Sequence, residues 1–489
     1  MSTIIVNGTG EKKQFSFDPG DNLLEILRAH GENLPAPCGG QGRCGKCLVR
    51  LAERGVTKTV LACCTVPAGD CEVWMPEEQS DPGWNEAQTQ LPLSREKEGL
   101  GAAVDLGTTT VAVRLYDREN GICLGSASRW NAQKSCGADV ISRIGYCMEQ
   151  KNGLQALSGV IRQQITEMIL ALCRGAKQPF SGVKEIFLAG NTVMQHLFAG
   201  ISPESIAKAP FLPATRFEEP IRDTLEGVPV RYAPCVAGYV GGDITAGLLA
   251  LGLHHSKENA LFLDVGTNGE MALGGADGWL CCAVASGPAF EGAEMECGMP
   301  AAEGAINRVD LTEDGLSYQV IGGGEPQGIC GSGLLDLVAC LLELGWIDES
   351  GFLEPDEAGR PRFSLTETVY LTQRDIRQLQ LAKAAVAAGI RRLTEQAPSP
   401  DVLYLAGGFG NRLRPESAIR IGMLPKELRD CIVPAGNTSL AGAEQALCSE
   451  TQRLALAEIQ RKCRYLELSE DALFEEYFTE EMCFPEVEE

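Results

Sequence analysis

The sequence predicts a mixed fold, α+β over its first part and α/β beyond, and three observations predict it. A short strand–turn–strand stretch containing Asp-x-Gly-Thr occurs twice. After each copy, apolar strand patterns alternate with helical ones, as in layered sheet proteins. The first 76 residues instead combine short strands, one helix and a glycine-rich run of cysteines. Two similar lobes facing each other across a ligand, preceded by a small cysteine-bearing domain, follow from these patterns.

The small domain comes first in the chain. Ile4-Ile5-Val6 and Gln14-Phe15-Ser16-Phe17 alternate like strands around an Asn7-Gly8 turn. Asp21 or Asn22 caps a helix, Leu23 to Ala29, with Leu23, Leu24, Ile26 and Leu27 on its buried side. Cys38, Cys44 and Cys47 follow in the spacing C-x5-C-x2-C, and Cys63 comes after a gap of 15 residues that holds another strand. Glycines in this loop let the chain wrap closely and aim N–H groups at an anion such as sulfide. The loop resembles plant-type and adrenodoxin-type ferredoxins. The plant pattern has x4 between its first two cysteines; x5 is similar to the adrenodoxin branch. The resemblance implies a β-grasp, ferredoxin-like domain over residues 1–76, with a 2Fe-2S cluster on Cys38, Cys44, Cys47 and Cys63. Zinc is the alternative, although zinc ribbons prefer two paired C-x2-C units. Cys63 is favoured over Cys64 because its context resembles the family's ligand position and adjacent strand residues face opposite ways.

The duplicated stretch carries the second half of the argument. One copy is Gly101-Ala102-Ala103-Val104-Asp105-Leu106-Gly107-Thr108-Thr109-Thr110, and the other is Leu261-Phe262-Leu263-Asp264-Val265-Gly266-Thr267-Asn268-Gly269-Glu270. Each reads as strand, Asp, Gly-Thr turn, strand. Such a turn exposes N–H groups and hydroxyls that suit a phosphate. An Asp at the strand end can hold a hydrated Mg²⁺, which needs few carboxylates. Later, Val402-Leu403-Tyr404-Leu405-Ala406 runs into Gly407-Gly408-Phe409-Gly410, where glycines allow the backbone to approach a flat ligand. The three stretches, in this order, resemble the phosphate 1, phosphate 2 and adenosine motifs of the actin-like and sugar-kinase superfamily (ASKHA, ribonuclease H-like). That resemblance implies a two-lobed ATPase. Asp105 and Asp264 would serve Mg-ATP, with Gly107, Thr108, Thr109, Thr110, Gly266, Thr267, Asn268, Gly407, Gly408 and Gly410 lining the nucleotide. Asn191 is expected to cap a helix beside it. Asp243 is either a further carboxylate for Mg²⁺ or an N-cap. Gly331 and Gly333 open a helix between the second and third motifs.

Residues 77–98 are polar and lack periodicity, so they read as a linker. The lobes are then expected over 99–257 and 258–466, followed by an acidic, aromatic tail over 467–489. Phe474, Tyr477, Phe478 and Phe484 favour a docked tail. No long apolar run suggests a membrane span. The net charge of −24 argues against nucleic acid and anionic membranes as partners. Twenty cysteines without an export pattern point to a reducing cytoplasm. Cys123, Cys173, Cys340 and Cys448 lie in apolar contexts and are expected as small buried hydrophobes. Cys281, Cys282, Cys297 and Cys330 match no ligand spacing and read as core or strand residues.

A ferredoxin domain fused to an actin-like ATPase resembles the ATP-dependent reductive activators of corrinoid proteins, over essentially the whole chain. Ala189-Gly190-Asn191-Thr192-Val193-Met194-Gln195-His196-Leu197, Gly287-Pro288-Ala289-Phe290-Glu291-Gly292 and Gly328-Ile329-Cys330-Gly331-Ser332-Gly333-Leu334 carry the resemblance further, as do Asp375 to Lys383. It implies one-electron reduction of inactive cobalt(II) to cobalt(I) in a methyltransferase or O-demethylase system. The partner would be a corrinoid protein, the electron source a ferredoxin or flavodoxin, and a homodimer is compatible with the pattern. An activator of a radical dehydratase and a redox-regulated kinase are the rival readings of the same superfamily.

Overall fold

The computed structural model describes residues 2–7, 12–18, 20–30, 32, 34, 47–53, 55–75, 98–266, 268–292, 295–313 and 315–486. Cys38, Cys44, Thr267, the Asn7-Gly8 turn beyond Asn7, and the linker through residue 97 lie outside the described residues.

The first domain is one sheet and one helix. Strands β1 (Ser2–Asn7) and β2 (Lys12–Phe17) pair antiparallel, with Ile4 opposite Phe15. Helix α1 (Leu23–Ala29) starts at Asn22, whose side chain accepts from the Leu24 N–H. This is the Asn alternative of the expected cap. Strands β3 (Leu48–Glu53), β4 (Val56–Leu61) and β5 (Cys71–Trp74) complete the order β2-β1-β5-β3-β4, with β1 and β5 parallel. The apolar face of α1 closes a core with Ile4, Val6, Val49, Leu51 and Val73, which is the β-grasp arrangement. Cys63 and Cys64 lie in a 3-10 turn, Ala62–Cys64, rather than on a strand. The alternation expected to separate them therefore does not apply.

The next lobe comprises β6 (Leu100–Leu106), β7 (Thr110–Asp117), β8 (Ile122–Trp130), α2 (Val140–Glu149), α3 (Gly153–Gly175), β9 (Val183–Gly190), α4 (Thr192–Ala199), β10 (Asp223–Leu225), β11 (Val228–Tyr232) and α5 (Gly242–Ala250). Its sheet order is β10-β11-β9-β6-β7-β8. The other lobe begins with β12 (Ala260–Val265), β13 (Gly269–Gly275) and β14 (Gly278–Val284). A small sheet of β15 (Ala305–Thr312), β16 (Gly315–Val320) and β17 (Gly328–Ile329) precedes α6 (Gly331–Glu343). Then come β18 (Arg362–Ser364), β19 (Tyr370–Thr372), α7 (Gln373–Thr394), β20 (Val402–Ala406), α8 (Gly407–Gly410), α9 (Pro415–Arg420), β21 (Ile432–Gly436), α10 (Thr438–Cys448), α11 (Glu450–Lys462), β22 (Cys463–Tyr465) and α12 (Ala472–Glu480). The main sheet order is β21-β20-β12-β13-β14-β22.

The repeat seen in the sequence extends to whole sheets. Each lobe has a three-strand antiparallel meander, β6-β7-β8 or β12-β13-β14. On the far side of its first strand lie parallel strands, β9 and β11 or β20 and β21. The central strands β6, β9 and β12 are almost wholly buried, as parallel strands covered by helices are. Asp105 and Asp264 sit at equivalent points, each next to the last residue of a buried strand.

The chain closes on itself late. Helix α10 lies against α5, β6 and β9 of the preceding lobe. Glu185 of β9 receives a bidentate ion pair from Arg453 of α11, at 2.8 and 2.6 Å. The tail is docked: α12 packs on α7, and Tyr477 and Phe484 are buried. The buried Lys383 of α7 donates to the Cys483 carbonyl. Cys173, Cys340, Cys448, Cys281, Cys282 and Cys330 are buried, whereas Cys123 is exposed, contrary to its apolar context. It sits on β8, at the edge of its sheet, where no further strand among the described residues pairs with it. Among the described residues no helix is long and apolar enough to cross a membrane.

Candidate functional site

Four carboxyl groups converge where the two meanders face each other. Asp264 of β12 stands opposite Glu270 of β13 in the antiparallel register, so both side chains lie on one face of the sheet. Burial, then the neighbouring carboxylates Asp243 and Asp105, push Asp264 up to about 8. Asp243 lies in the first turn of α5, whose N-cap is Gly241; its carboxylate accepts from the Ile244 N–H at 2.9 Å. It is therefore not the cap itself. Burial and then Asp105 push it up to about 7. Burial also raises Asp105, and hydrogen bonds from Ser439 and Asn437 work against that rise. Those donors are Ser439 Oγ at 2.7 Å and Asn437 Nδ2 at 2.9 Å. Glu270 is raised well above the usual carboxylate range by burial, then by Asp243 and Asp264.

Asn191 has two jobs. Its carbonyl oxygen accepts from the Val193 N–H and caps α4, as expected. Its amide donates across to Glu270 at 3.2 Å, linking the lobes. Asn268 Nδ2 donates to the same carboxylate at 3.4 Å. In the first turn, the carbonyls of Gly107 and Thr109 accept from the Asn131 side chain and backbone N–H, each at 2.8 Å. The Thr108 carbonyl accepts from Arg143 Nη2 at 2.6 Å. Arg143 is fully buried, and that burial lowers it to about 10. Thr110 opens β7, and a Cβ on Gly107 would meet its carbonyl oxygen at 2.7 Å.

In the second turn the Gly266 N–H donates to the Asn268 carbonyl at 2.8 Å, and the space beside Gly266 is open. Gly407 has φ +80°, and a Cβ there would overlap Asp264 Oδ1. Glycine at 407 thus lets the third motif close against the carboxylate cluster. Gly408 and Gly410 lie with it in α8, and Phe409 stacks on Phe290 at 4.7 Å. Gly331 and Gly333 open α6, as expected, but their missing Cβ atoms would overlap the carbonyls of Phe290 and Ile306. Packing of backbone on backbone explains these two glycines.

The residues present fit a magnesium nucleotide. Buried acids that repel one another are relieved by a divalent cation, and glycine turns flank them. The described residues contain no cluster of three or more His, Cys, Asp or Glu able to hold a metal alone. Mg²⁺ keeps several waters and shares substrate phosphates, so it needs few carboxylates. The first domain holds a different donor set. Cys47 is buried, Cys63 is partly exposed, and their Sγ atoms are 3.2 Å apart. Ala62 N–H donates to the Cys47 carbonyl at 2.8 Å and Asn22 Nδ2 to that of Cys63 at 2.7 Å, which fixes the pair. Two converging thiols suit a soft metal centre. Cys64 Sγ lies 3.6 Å from that of Cys63 but is exposed.

Glu270, Glu291, Asn437 and Ser439 received no role from the sequence. Glu270 lies inside the second repeat, six residues after Asp264, and its place opposite that residue could have been read from the hairpin. The other three reach the site only through the tertiary fold.

Fold and site together define an iron–sulfur protein joined to an ATPase of the actin-like class. Residues 4–68 match the 2Fe-2S iron-sulfur cluster binding domain, 100–256 the RACo middle region, and 258–489 the C-terminal domain of RACo, the ASKHA domain. A solved structure of a reductive activator for a corrinoid, iron–sulfur protein is 32% identical. It aligns over 100% of this chain and 99% of its own, with a TM-score of 0.71. The corrinoid activation enzyme RamQ of Eubacterium limosum is 29% identical over 93% of this chain and 95% of its own length. A Co(II) methylated amine-specific corrinoid protein reductase of Methanosarcina barkeri is 24% identical over 74% and 72%. The chain belongs to the RACo family of reductive activators of corrinoid proteins.

Proposed function

We propose that this protein uses ATP to drive one-electron reduction of the cobalt(II) form of a corrinoid partner to cobalt(I), within a methyltransferase or O-demethylase system. The observation that carries the reading is the joining of two sites in one chain: a buried carboxylate cluster between duplicated sheets and a thiol pair in a β-grasp domain. When bound, the 2Fe-2S group supplies low-potential one-electron chemistry, and Mg-ATP supplies free energy.

The chain's own residues divide the work. Asp105, Asp243 and Asp264 would hold the hydrated Mg²⁺, with Thr108, Thr109, Thr110, Thr267 and Asn268 on the phosphates. Gly407, Gly408 and Gly410 would admit the adenosine, and Asn191 would tie the lobes together through Glu270. Cys38, Cys44, Cys47 and Cys63 would hold the cluster in a domain spanning 1–76. Residues 77–98 would link it to lobes over 99–257 and 258–466, with the tail at 467–489. A ferredoxin or flavodoxin would supply the electron, in the cytoplasm, and the assembly is compatible with a homodimer.

The energetics are within reach. A deficit of roughly 100 mV for one electron is about 2.3 kcal/mol, since 59 mV is tenfold. Coupling energies between sites are typically about 1–3 kcal/mol. A conformational change driven by ATP binding and hydrolysis between the lobes can therefore offset the deficit.

The test follows the cobalt(I) absorption band anaerobically on a corrinoid partner. ATP should give a high yield, and both omission of ATP and a non-hydrolysable analogue should give little. Equal yields in all three would remove ATP from the reaction. A truncation starting at Gly99 should still hydrolyse ATP yet reduce no cobalt, because the first domain has a core of its own. Loss of ATP hydrolysis in a folded truncation would show that the two halves are not separable.

A further inference from the structure

We propose that Glu291 is the general base of ATP hydrolysis, the group that orients and deprotonates the water attacking the γ-phosphate. This rests on the nucleotide site described above and adds a residue to it. The Thr109 hydroxyl, in the first phosphate turn, donates to Glu291 Oε1 at 2.9 Å and Oε2 at 3.0 Å. The two residues are 182 positions apart and come from opposite lobes. Glu291 thus brings a carboxylate from the far lobe directly onto a turn that suits phosphate.

Its loop is built to hold it there. Gly287 and Gly292 bracket the loop with φ +73° and +71°, a conformation that favours glycine. Phe290 is buried and stacks on Phe409 of the adenosine stretch. Gly331 lets α6 press on the Phe290 carbonyl from behind. The residue preceding Glu291 is therefore fixed by two other elements of the site. Asp105 accepts from Asn437 and Ser439, Asp243 from its own helix, and Glu270 from Asn191 and Asn268. Glu291 accepts from the Thr109 hydroxyl, a contact that a phosphate oxygen can take over, and its charge acts on the buried Arg143 guanidinium.

The chemistry then balances. With ATP seated, the Thr109 hydroxyl turns to a phosphate oxygen, and Glu291 accepts from a water on the γ-phosphate. The water oxygen forms a bond to phosphorus as the bond to the β-bridging oxygen breaks. The water proton passes to Glu291 and then to solvent. ADP and phosphate leave.

The experiment uses the full-length protein. Phosphate release measures turnover, and calorimetry with a non-hydrolysable ATP analogue measures binding. Glu291→Gln keeps an oxygen for Thr109 but is no base. It should lower kcat by about 100-fold or more, within the range of general-base catalysis, with analogue affinity changed less than about threefold. Glu291→Ala with added formate should regain part of the lost turnover, which a structural role would not allow. Turnover of Glu291→Gln within about threefold of wild type would overturn the proposal and leave Glu291 as a contact between lobes. Loss of analogue binding in step with turnover, or no rescue by formate, would overturn it equally. Failure of the wild-type protein to bind or hydrolyse ATP would instead sink the nucleotide reading itself.

Discussion

Asp264→Asn is expected to abolish ATP-driven cobalt(I) formation while making the nucleotide-free protein more stable near pH 8. The two effects share one cause. Asp264 is pushed up to about 8 by burial and by Asp243 and Asp105, whereas an unfolded Asp titrates near 3.9. A carboxyl raised in the fold contributes stability that is complete below the unfolded value. That stability is lost as pH rises through the folded one. Between about pH 4 and 8 the wild type should therefore lose thermal stability, and Asp264→Asn should flatten that slope. The same substitution removes the charge that would face the cation. Asp105→Asn should also stop turnover. Burial raises Asp105 as well, so a neutral amide there should flatten its part of the same slope. The amide oxygen can accept from Asn437 Nδ2 while the amide nitrogen donates to Ser439 Oγ, a hydroxyl that accepts as well as donates. Phosphate release and thermal unfolding over pH 5–9 check both variants. Full turnover in either would remove that carboxylate from the site.

Cys63→Ser is expected to destroy or shift the visible spectrum of the anaerobically purified protein, and Cys64→Ser to leave it intact. The basis is geometry: Cys63 Sγ is 3.2 Å from Cys47 Sγ, while Cys64 is exposed. The contrast is demanding, because the two thiols are themselves only 3.6 Å apart. A spectrum that depends on Cys64 and not Cys63 would reassign the ligand. Cys47→Ser should match Cys63→Ser, since the two converge on one point.

Local patterns made much of this fold readable. The helix at Leu23–Ala29 and the cap at Asn191 follow from side chains that bond to their own backbone, so their signals are short-range. The repeat around Asp105 and Asp264 announced two sheets because the same strand–turn–strand period recurs. The thiol turn misled: an Ala-Cys-Cys run after β4 looks like more strand, but the chain tightens into a 3-10 turn there. Cys123 misled for another reason. Its neighbours are apolar, yet an edge strand leaves one side uncovered, and edge position is a property of topology. Ser439 and Asn437 lie more than 300 residues from Asp105, and no local period connects them. Glu291 belongs to a noted stretch, but its use depends on which turn it meets across the cleft.

The late return of the chain onto its earlier lobe has a consequence for biosynthesis. Glu185 is buried, and its bidentate partner Arg453 is 268 residues downstream. At about 5–20 residues per second, a ribosome needs some tens of seconds to add the stretch between them. Throughout that interval β9 carries an acidic group without its Arg453 partner, and the surfaces of α5, β6 and β9 that α10 will cover stay open to water. The nascent chain therefore has to wait, half-built, for its own last fifty or so residues. During that wait it is a natural client for a chaperone that shields apolar surface.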